Sequence, residues 1–480
     1  MPESKGLVGG QYQPLSQSSI ERIHQATLEI FEEVGFEVHY EEALEIFAQK
    51  GAKVDSEKKR VRLSPQLVEK TISTAPSKVV LYGREDKHNL DLEDKKVYLG
   101  TGGTAVNVID LDTGEKRPSN LEDVRQIARL VDNLDNIHFY LLPVFPHELP
   151  QEQIDVNRFY AGLANTTKHV TGGVWHSEGA LQAIKLASII AGGYEELKKR
   201  PIISAICCVI SPLKLDKHYT ELMILVAENG IPVMVPSEAL CGATSPITLA
   251  GDVLQVNVET LAGVILTQLV NPGTPVVYGT VSTIADPYSM NYVSGAMEMG
   301  LINAAVAQMA QFYKLPFYAT AGMSDSKLSD IQAGYEKMAT TLLVALAGAN
   351  YIHDSAGLIE FAMTASYEQY VIDNEINGMV MRALRGIQFN EDTLALDVIK
   401  NVGPTRNFLE QGHTRKHLRS ELFFPKVSDR LLREQWVANG AKDGRERARE
   451  IARDILANHQ PVPIPREIEQ KIKETIPGIV

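Results

Sequence analysis

The chain has 480 residues, of which 44% are hydrophobic and 22% are charged, with 35 glycines, 23 prolines and 3 cysteines. This composition is that of a globular protein, and it excludes long disordered segments, collagen-like repeats and a disulfide framework. The 60 acidic and 47 basic residues give a formal charge of −13, which disfavours nucleic-acid binding. The first 16 residues lack the basic and apolar regions of a signal peptide, and no apolar run reaches the roughly 20 residues of a membrane span. We therefore expect a cytoplasmic protein.

The first 95 residues mix helical patterns with short strand patterns. Ser19 is expected to cap the first helix, and Pro65 suits the first turn of the third. The expected helices lie at 19–34, at 41–50 and from 65 onward, and the expected strands lie at 60–63 and 79–82. This segment is predicted to form an α+β extension.

From residue 97 onward, short apolar runs bounded by Gly or Pro alternate with long helical patterns. The eight expected strands lie at 97–101, 138–142, 169–171, 202–209, 231–235, 275–278, 316–320 and 350–353. The eight expected helices lie at 121–131, 153–163, 177–191, 217–228, 249–269, 295–313, 332–347 and 366–384. Because each strand precedes a helix long enough to cross over, the strands are predicted to be parallel.

Eight strand–helix units at intervals of roughly 30 to 45 residues match the length of a (β/α)8 barrel. A doubly wound open sheet is the rival fold, but no G-x-G-x-x-G opens the helix after the first strand, and a hairpin at 106–115 intervenes. We predict an α/β protein with a (β/α)8 TIM barrel at 96–390. The α+β extension at 1–95 precedes it, and a C-terminal helical extension at 391–480 packs on it.

The active sites of such barrels lie at the C-terminal ends of the strands. The segments that follow the expected strands are rich in Gly and Ser and hold few charged groups, among them Glu238, Asp325 and Asp354, with His353 at the end of its strand. Aromatic residues in or beside the strands either pack in the core or form a box for a quaternary ammonium ion, which binds to π faces because it has no hydrogen-bond donor. They are Tyr98, Tyr140, Phe145, Trp175, Tyr278, Tyr318 and Phe361. Their spacing alone does not decide between the two roles.

No metal site is predicted. Cys207 and Cys208 are adjacent in an expected strand, so their side chains point to opposite faces, and no C-x-x-C or H-E-x-x-H motif is present. His413 and His417 share one helical face, but basic residues surround them and no Glu or Cys accompanies them, so a structural or docking role is favoured. No Walker loop, nucleophile elbow or Schiff-base signature is found, and Lys327 is expected to be a solvated loop residue.

Two segments carry a resemblance to a known family. The stretch GPTRNFLEQGHTRKHLRSE at 403–421, with Phe424-Pro425 and Trp436 after it, resembles the trimethylamine methyltransferase family. The loop AGMSDSKLSDIQAGYE at 321–336 resembles the same family, and the similarity extends over nearly the whole chain. The resemblance implies a (β/α)8 barrel that demethylates a methylated amine and passes the methyl group to cobalt(I) in a separate corrinoid protein.

The founding members of that family carry pyrrolysine, whereas the corresponding region of this chain, 319–323, holds only standard residues. This departure implies that the chain belongs to the branch of the family without pyrrolysine, whose members use quaternary amines and above all glycine betaine. Loss of one methyl group would convert glycine betaine to dimethylglycine. A quaternary ammonium releases a neutral tertiary amine, so no proton donor is needed and the absence of catalytic triads is expected. The alternatives are a non-catalytic amine-binding or assembly subunit, another betaine such as proline betaine or carnitine, and a metal-free lyase or isomerase with Glu238 or His353 as base.

The resemblance and the barrel together give the predicted site, in which no acid or base catalyst is assigned. Tyr98 and Phe361 are placed in the cation box, and His353 either donates to the substrate carboxylate or is a core histidine bonded to a carbonyl. The predicted substrate-binding residues are Tyr98, Tyr140, Trp175, Glu238, Ser324, Asp325, His353 and Phe361. The predicted corrinoid-facing rim residues are Gly102, Gly103, Gly172, Gly173 and Gly322.

The chain is expected to bind no cofactor of its own, because it has no D-x-H-x-x-G corrinoid motif. Cobalamin is expected to arrive on a transient corrinoid partner protein or to be supplied free as cob(I)alamin. We predict a homo-oligomer that contacts neither nucleic acid nor a membrane.

Overall fold

The computed structural model describes residues 6–480, so the first five residues of the predicted N-terminal extension lie outside the described residues. Eight strands and eight helices alternate through the middle of the chain. The strands are β1 (Lys96–Thr101), β2 (Tyr140–Leu141), β3 (Val170–Gly173), β4 (Ile203–Ile206), β5 (Val233–Ser237), β6 (Val276–Thr280), β7 (Phe317–Thr320) and β8 (Tyr351–Ala356). The helices that follow them are α1 (Leu121–Asp132), α2 (Gln151–Asn165), α3 (Ser177–Ala191), α4 (Lys217–Glu228), α5 (Leu249–Val270), α6 (Met297–Tyr313), α7 (Ile331–Ala347) and α8 (Tyr367–Leu384).

The eight strands form one parallel row in the order β1-β8-β7-β6-β5-β4-β3-β2. This order has no reversal, which a doubly wound sheet requires, so the rival fold is excluded. A single parallel bridge also joins Gly100 of β1 to Phe139, the residue before β2. Beside it the His138 N–H donates to the Leu99 carbonyl over 2.6 Å, so the two ends of the row meet.

The extension before β1 is α+β, as its sequence pattern predicted. Its first helix is capped by Ser16, which accepts from the Ser19 N–H, and not by Ser19 as expected. Its helices are Gln17–Glu33, Glu41–Gln49 and Pro65–Ile72, and its strands are Phe36–Val38, Lys53–Asp55, Arg60–Arg62, Lys78–Leu81 and Leu90–Glu93. A short strand at Leu7–Val8 pairs with β1 in the antiparallel sense.

The remaining elements lie in the loops and after α8. The predicted hairpin in the first loop is formed by Asn107–Ile109 and Lys116–Pro118. Other loop elements are Lys214–Leu215, Leu240–Cys241, Thr283–Ala285, Tyr292–Val293, Leu358–Ile359, Thr364–Ser366, and the helices Asp86–His88 and Tyr194–Lys199. The C-terminal helices are Glu391–Leu394, Leu396–Val402, Gly412–Glu421, Arg433–Ala438, Gly444–Asn458 and Arg466–Thr475.

Two apolar clusters make up the core. The larger lies between the strands and the helices, and the smaller lies on the other face of the strands. In the smaller cluster, the hairpin formed by Lys78–Leu81 and Leu90–Glu93 packs against side chains of the strands. The hairpin continues into the segment before β4, where the Tyr82 N–H donates to the Pro201 carbonyl, and it therefore covers the N-terminal ends of the strands. The C-terminal ends are left for the functional site.

One helix, α5, is long and apolar enough to cross a membrane, and most of it is buried within the protein. It also holds buried polar residues that bond inside the structure. Thr260 Oγ1 donates to the Gly279 carbonyl over 2.7 Å, and Gln268 Nε2 donates to the Thr274 carbonyl over 2.9 Å. These features are those of a core helix.

Candidate active site

Three aromatic rings form a floor inside the row of strands. Phe139 stacks on Tyr351 with ring centroids 3.6 Å apart, and Tyr351 stacks on Tyr318 at 5.5 Å. The hairpin of the N-terminal extension, Lys78–Leu81 and Leu90–Glu93, fills the space on one side of these rings. On the other side, the C-terminal ends of the strands and the loops that follow them surround a mouth.

Glu238 and Cys208 enter this mouth because strand residues alternate between two faces. Met234 lies in the inner cluster, so Glu238, four residues later, shares its face; Ile206 packs on the same cluster, so Cys208 does too. The Cys208 thiol lies near the Glu238 carboxylate and the Tyr219 hydroxyl, which act on it electrostatically. Surrounding protein atoms raise the pKa of Glu238, although its side chain remains accessible to solvent, as expected in a concave site. Burial raises the pKa of Cys208 well above its ordinary value, so the thiol stays protonated.

A second polar group at the mouth is built around Asp354. Its carboxylate accepts from Thr320 Oγ1 over 2.7 Å and lies 3.0 Å from His353 Nε2. Gly102 is required beside it, because a Cβ on that residue would come within 1.5 Å of Asp354 Oδ1. The other ring nitrogen of His353 bonds the Ala319 carbonyl at 2.7 Å, and the ring packs against Tyr318 at 4.2 Å. Both ring nitrogens of this histidine are therefore engaged. Of the two roles predicted for His353, the contact agrees with a core histidine bonded to a carbonyl and not with a donor to the substrate carboxylate.

Phe361 is presented at the mouth by an unusual turn. Glu360, Phe361 and Ala362 have φ angles of 55°, 57° and 64°, a left-handed conformation that is costly for residues other than glycine. Two hydrogen bonds hold the turn: the Glu360 N–H donates to the Ser326 carbonyl over 2.8 Å, and the Phe361 N–H donates to the Ser324 carbonyl over 3.2 Å. The loops after β7 and β8 thus fix the position of the ring.

The loop after β7 uses its polar residues in different ways. The Ser324 hydroxyl is fully buried and donates to Glu336 over 2.7 Å, which leaves it no free hydrogen for a ligand. Asp325 accepts from the Ser294 N–H and hydroxyl through one oxygen, at 2.7 and 2.6 Å. Lys327 lies with its ammonium 4.4 Å from the centre of the Phe361 ring. This cation–π contact indicates that the ring face already accepts a cation.

The mouth carries negative charge. The Tyr292 hydroxyl donates to the Val281 carbonyl over 3.4 Å, and burial, followed by the charges of Asp354, Glu238 and Asp325, raises its pKa well above the ordinary value. Among the described residues, the only ion pair that involves these three carboxylates is that between His353 and Asp354. A cationic ligand would therefore be attracted to the mouth.

Two predicted binding residues lie elsewhere, and the structure corrects them. Tyr140 faces the outer layer, where its hydroxyl donates to the Val124 carbonyl over 2.8 Å. Tyr98 lies beside the hairpin, where its hydroxyl accepts from the N–H groups of Gly6 and Asp91, both at 3.2 Å. Neither ring can reach a ligand in the mouth.

The predicted rim glycines also differ from one another. Only Gly173 has open space where a side chain would project. A Cβ at Gly102, Gly103, Gly172 or Gly322 would meet other atoms within 2.6 Å, so these four serve close packing and do not form an open rim. Trp175, in contrast, is 45% exposed and meets Phe145 edge-on with ring centroids 5.8 Å apart, so it belongs to the outer rim.

The rim carries a ring of exposed apolar side chains that sequence reasoning did not single out. They lie in the loops after β3, β5, β6, β7 and β8 or in the first turns of α7. They are Trp175, Ile247, Tyr288, Met290, Leu328, Ile331, Tyr335 and Met363. Such a ring around a concave site is typical of a surface that binds another protein.

Tyr219, Tyr292 and Thr320 were missed as site residues. Tyr219 comes from the first turn of α4, and Tyr292 comes from a short strand in the loop after β6. Neither follows a central strand directly, so a search of strand ends could not find them. Thr320 is the last residue of β7 and lies two residues after Tyr318. Because alternate residues of a strand share a face, the sequence could have placed Thr320 on the same face as Tyr318.

One group of residues bears on the prediction that there is no metal. Potential ligand atoms of Asp392, His413 and His417 lie within 4.8 Å of one another. Asp392, 21 residues before His413, thus places beside the two histidines a carboxylate that the sequence around them lacks. It already has a cation, since Lys416 Nζ lies 2.6 Å from Asp392 Oδ2, and the absence of a metal stays a prediction.

Comparison with known proteins completes the description of the site. A model of the trimethylamine methyltransferase (MTTB) family matches residues 5–477. The trimethylamine methyltransferase MttB of Desulfitobacterium hafniense strain DSM 10664 / DCB-2 is 40% identical over 474 residues, which cover 99% of this chain and 94% of that protein. The glycine betaine methyltransferase of Desulfitobacterium hafniense strain Y51 is 35% identical over 467 residues, which cover 97% of each.

The fold also resembles a solved structure. The crystal structure of the monomethylamine methyltransferase MtmB of Methanosarcina barkeri matches with a TM-score of 0.53 at 12% identity, covering 93% of this chain and 88% of that one. At this identity the likeness concerns the fold alone. The matches in sequence confirm the predicted resemblance: the chain belongs to the trimethylamine methyltransferase family and is a methyltransferase.

Proposed function

We propose that this chain removes a methyl group from a quaternary amine and that cobalt(I) of a corrinoid protein accepts it. The negative charge of the mouth is the observation that carries the proposal: Glu238, Asp325 and Asp354 lie at or after the C-terminal ends of three strands, and no lysine or arginine forms an ion pair with them among the described residues. Carboxylates and aromatic faces are the groups that hold a trimethylammonium ion, because it has no hydrogen to donate. Phe361, whose ring holds the Lys327 ammonium in this structure, supplies such a face if the substrate cation takes the place of that ammonium.

Glycine betaine is the first substrate to test, and the relative named for it supports this choice. Its trimethylammonium group would lie beside Glu238, and its carboxylate would lie at the side of the mouth near Lys327. His353 is no longer the group of choice for that carboxylate, since both its nitrogens are bonded within the protein. Proline betaine and carnitine would present the same two ends with more bulk, so the shape of the mouth would distinguish them.

The chemistry asks little of the protein beyond orientation. As the C–N bond breaks, its electron pair remains on nitrogen, and the product is a neutral tertiary amine that needs no proton. The corrinoid supplies a cobalt(I) nucleophile that accepts the methyl group. The residues of this chain hold the ammonium so that one methyl group points out of the mouth, and the aromatic floor excludes water from behind it. Protonated groups such as the Cys208 thiol do not compete as nucleophiles.

We also infer how the partner approaches. A corrinoid is too large to enter the row of strands, so its protein must sit over the rim, where the exposed apolar ring and the open space at Gly173 lie. The contact has to be transient, and an interface below about 1,200 Å² is expected. The purified chain should retain no corrinoid.

The same proposal covers the architecture and location. We infer that the bridge between Gly100 and Phe139 closes the eight strands into a (β/α)8 barrel at 96–390. The segment 1–95 is then an N-terminal extension, and 391–480 is a C-terminal one packed on the barrel. We place the protein in the cytoplasm, as a homo-oligomer.

The test is a panel of methylated amines incubated with cob(I)alamin and the purified chain. The panel contains glycine betaine, proline betaine, carnitine, tetramethylammonium and trimethylamine, and methylcobalamin is followed by its absorbance while mass spectrometry identifies the amine product. Methylcobalamin together with dimethylglycine supports the proposal for glycine betaine. Amine binding without turnover would indicate a non-catalytic subunit, and amine consumption without methylcobalamin would indicate a lyase or isomerase.

A further inference from the structure

A buried ion pair links the two helices that follow the last two strands. Lys337 is the seventh residue of α7 and Asp373 is the seventh residue of α8, and the ammonium lies 2.9 Å from the carboxylate. The two side chains are only 1% and 0% exposed. Replacing such a pair by apolar residues of similar volume is often neutral or stabilising, so stability alone does not account for it. The other hydrogen bonds of the pair indicate a second role.

Each partner also bonds to the turn that begins a loop of the mouth. Lys337 Nζ donates to the carbonyl of Gly322, two residues after the end of β7, over 2.6 Å. Asp373 Oδ2, the oxygen that faces Lys337, accepts from the N–H of Gly357, one residue after the end of β8, over 2.7 Å. The ion pair therefore bridges the loop after β7 and the loop after β8. We call Lys337 and Asp373 the clamp.

The backbone at both clamped turns has little freedom. Gly322 and Gly357 have φ angles of 82° and 91°, in the left-handed region that favours glycine. A Cβ at Gly357 would come within 2.1 Å of the Tyr370 ring, and a Cβ at Gly322 would come within 2.7 Å of the Ser355 Cα. The turns are thus packed closely against their surroundings. A change at the clamp is expected to move them and not to be absorbed by empty space.

The clamped turns lie between contacts that shape the mouth. Thr320 and Asp354 come just before the two turns, and the Thr320 hydroxyl donates to the Asp354 carboxylate over 2.7 Å. Beyond the turns, the Phe361 N–H donates to the Ser324 carbonyl over 3.2 Å. The clamp lies behind these contacts, and its buried side chains do not line the mouth. It can therefore act on a bound amine only through the spacing of the two loops.

We propose that Lys337 and Asp373 are positioning residues for methyl transfer. Their ion pair sets the spacing of the loops after β7 and β8, and this spacing aligns the bound amine with the direction from which cobalt approaches. The inference rests on the proposed function and deepens it, because it names the groups that hold the mouth in the required geometry. Since displacement at the methyl carbon tolerates little misalignment, loosening the clamp should lower kcat far more than it raises KM.

The test separates positioning from stability by means of a double variant, Lys337→Met with Asp373→Asn. The double variant leaves no unpaired charge in the interior, so it should be more stable than Lys337→Met alone. Methionine has no hydrogen to donate to the Gly322 carbonyl, so the loop after β7 remains released. We expect kcat with glycine betaine and cob(I)alamin to stay about 10- to 100-fold below that of the wild type in the double variant, although stability is regained.

The matched control is Lys168→Met, the same substitution at the opposite end of the strands. Lys168 is also buried, and its ammonium donates to the carbonyls of Val131 and Leu134, near the end of α1, over 2.6 and 2.8 Å. The control should lower the thermal unfolding temperature but leave kcat unchanged at temperatures at which the protein stays folded. Amide hydrogen exchange is measured on the same samples without substrate. It should become faster at 321–330 and 357–366 in the double variant and stay unchanged there in the control.

Three results would overturn the inference: recovery of kcat together with stability in the double variant, an equal loss of kcat in Lys168→Met, or unchanged hydrogen exchange in both loops of the double variant. Any of these in a protein whose wild type transfers methyl groups would remove this inference alone. A wild type that transfers no methyl group from any amine would instead remove the proposed function, and hydrogen exchange would still report whether the clamp holds the two loops.

Discussion

Replacing Glu238 by Gln removes one negative charge from the mouth while nearly keeping the shape of the side chain. The carboxylate lies near the Cys208 thiol and forms no ion pair with a lysine or arginine among the described residues. If a quaternary ammonium binds beside it, the variant should bind that cation more weakly. The chemical step should be less affected, because no proton is transferred there.

The size of the effect lies between two limits. A carboxylate and an ammonium 4 Å apart attract each other by about 4 kcal/mol at the effective dielectric constant near a protein surface. Fully exposed pairs are worth at most about 1 kcal/mol. Glu238 is surrounded by protein yet open to solvent, so about 1–2 kcal/mol is expected, which is a 5- to 30-fold rise in KM.

The assay compares wild type, Glu238→Gln and Glu238→Asp with glycine betaine and cob(I)alamin, and it measures inhibition by a neutral tert-butyl analogue. Glu238→Asp keeps the charge and should lie between the other two. The neutral analogue should inhibit all three equally. Because the pKa of Glu238 is raised, the KM of the wild type should increase with falling pH, starting above the usual pKa of an exposed Glu, and the Gln variant should lack this rise. An unchanged KM, or an equal loss of affinity for the neutral analogue, would refute the reasoning.

Three further perturbations test the surroundings of the mouth. Gly102→Ala should lower activity with free cob(I)alamin about 10- to 100-fold, because its Cβ displaces the hydrogen-bonded Asp354. Gly173→Ala, whose Cβ meets open space, should leave this activity unchanged, and equal losses in the two variants would contradict the reasoning. Lys337→Met should lower the free energy of unfolding in urea by roughly 3–5 kcal/mol, because it removes the ammonium that lies 2.9 Å from the buried Asp373 carboxylate. Adding Asp373→Asn should restore part of this loss, and no restoration would mean that the two residues are not coupled. Asp252, whose pKa burial raises to about 6, binds its proton more tightly in the folded state, so the stability it contributes is complete below about pH 4 and falls by roughly 2–3 kcal/mol by pH 7. Asp252→Asn should therefore gain that much stability relative to the wild type over this interval, and a difference that does not change with pH would exclude the explanation.

The eight strands could be predicted because they are buried on both faces and therefore appear as short apolar runs. The helices α3 and α4 have the predicted bounds, 177–191 and 217–228. The same double burial hides which face a side chain occupies. Tyr140 was assigned to the mouth, but its neighbours Phe139 and Leu141 are the ones that face inward, and a shift of one residue reverses the two faces.

The depth of a residue along the strand direction, between the hairpin and the mouth, was equally hidden. Tyr98 and His353 both come from predicted strands, yet Tyr98 lies beside the hairpin and His353 lies at the mouth. That depth depends on how neighbouring strands are staggered, and the stagger is set by pairing between segments that are far apart in the sequence. No local sequence pattern therefore predicts it. The hairpin strand Leu90–Glu93, with the sequence LDLE, is too short and too polar to predict as the cover of an apolar interior.

The central claim is that this chain transfers a methyl group from a quaternary amine to cobalt(I). The most direct measurement is a single-turnover reaction between the purified chain, cob(I)alamin and glycine betaine in which the three N-methyl groups carry deuterium. Mass spectrometry should find one equivalent of trideuteromethylcobalamin for each equivalent of dimethylglycine that keeps six deuterium atoms. Unlabelled methylcobalamin, or dimethylglycine formed without any methylcobalamin, would contradict the account.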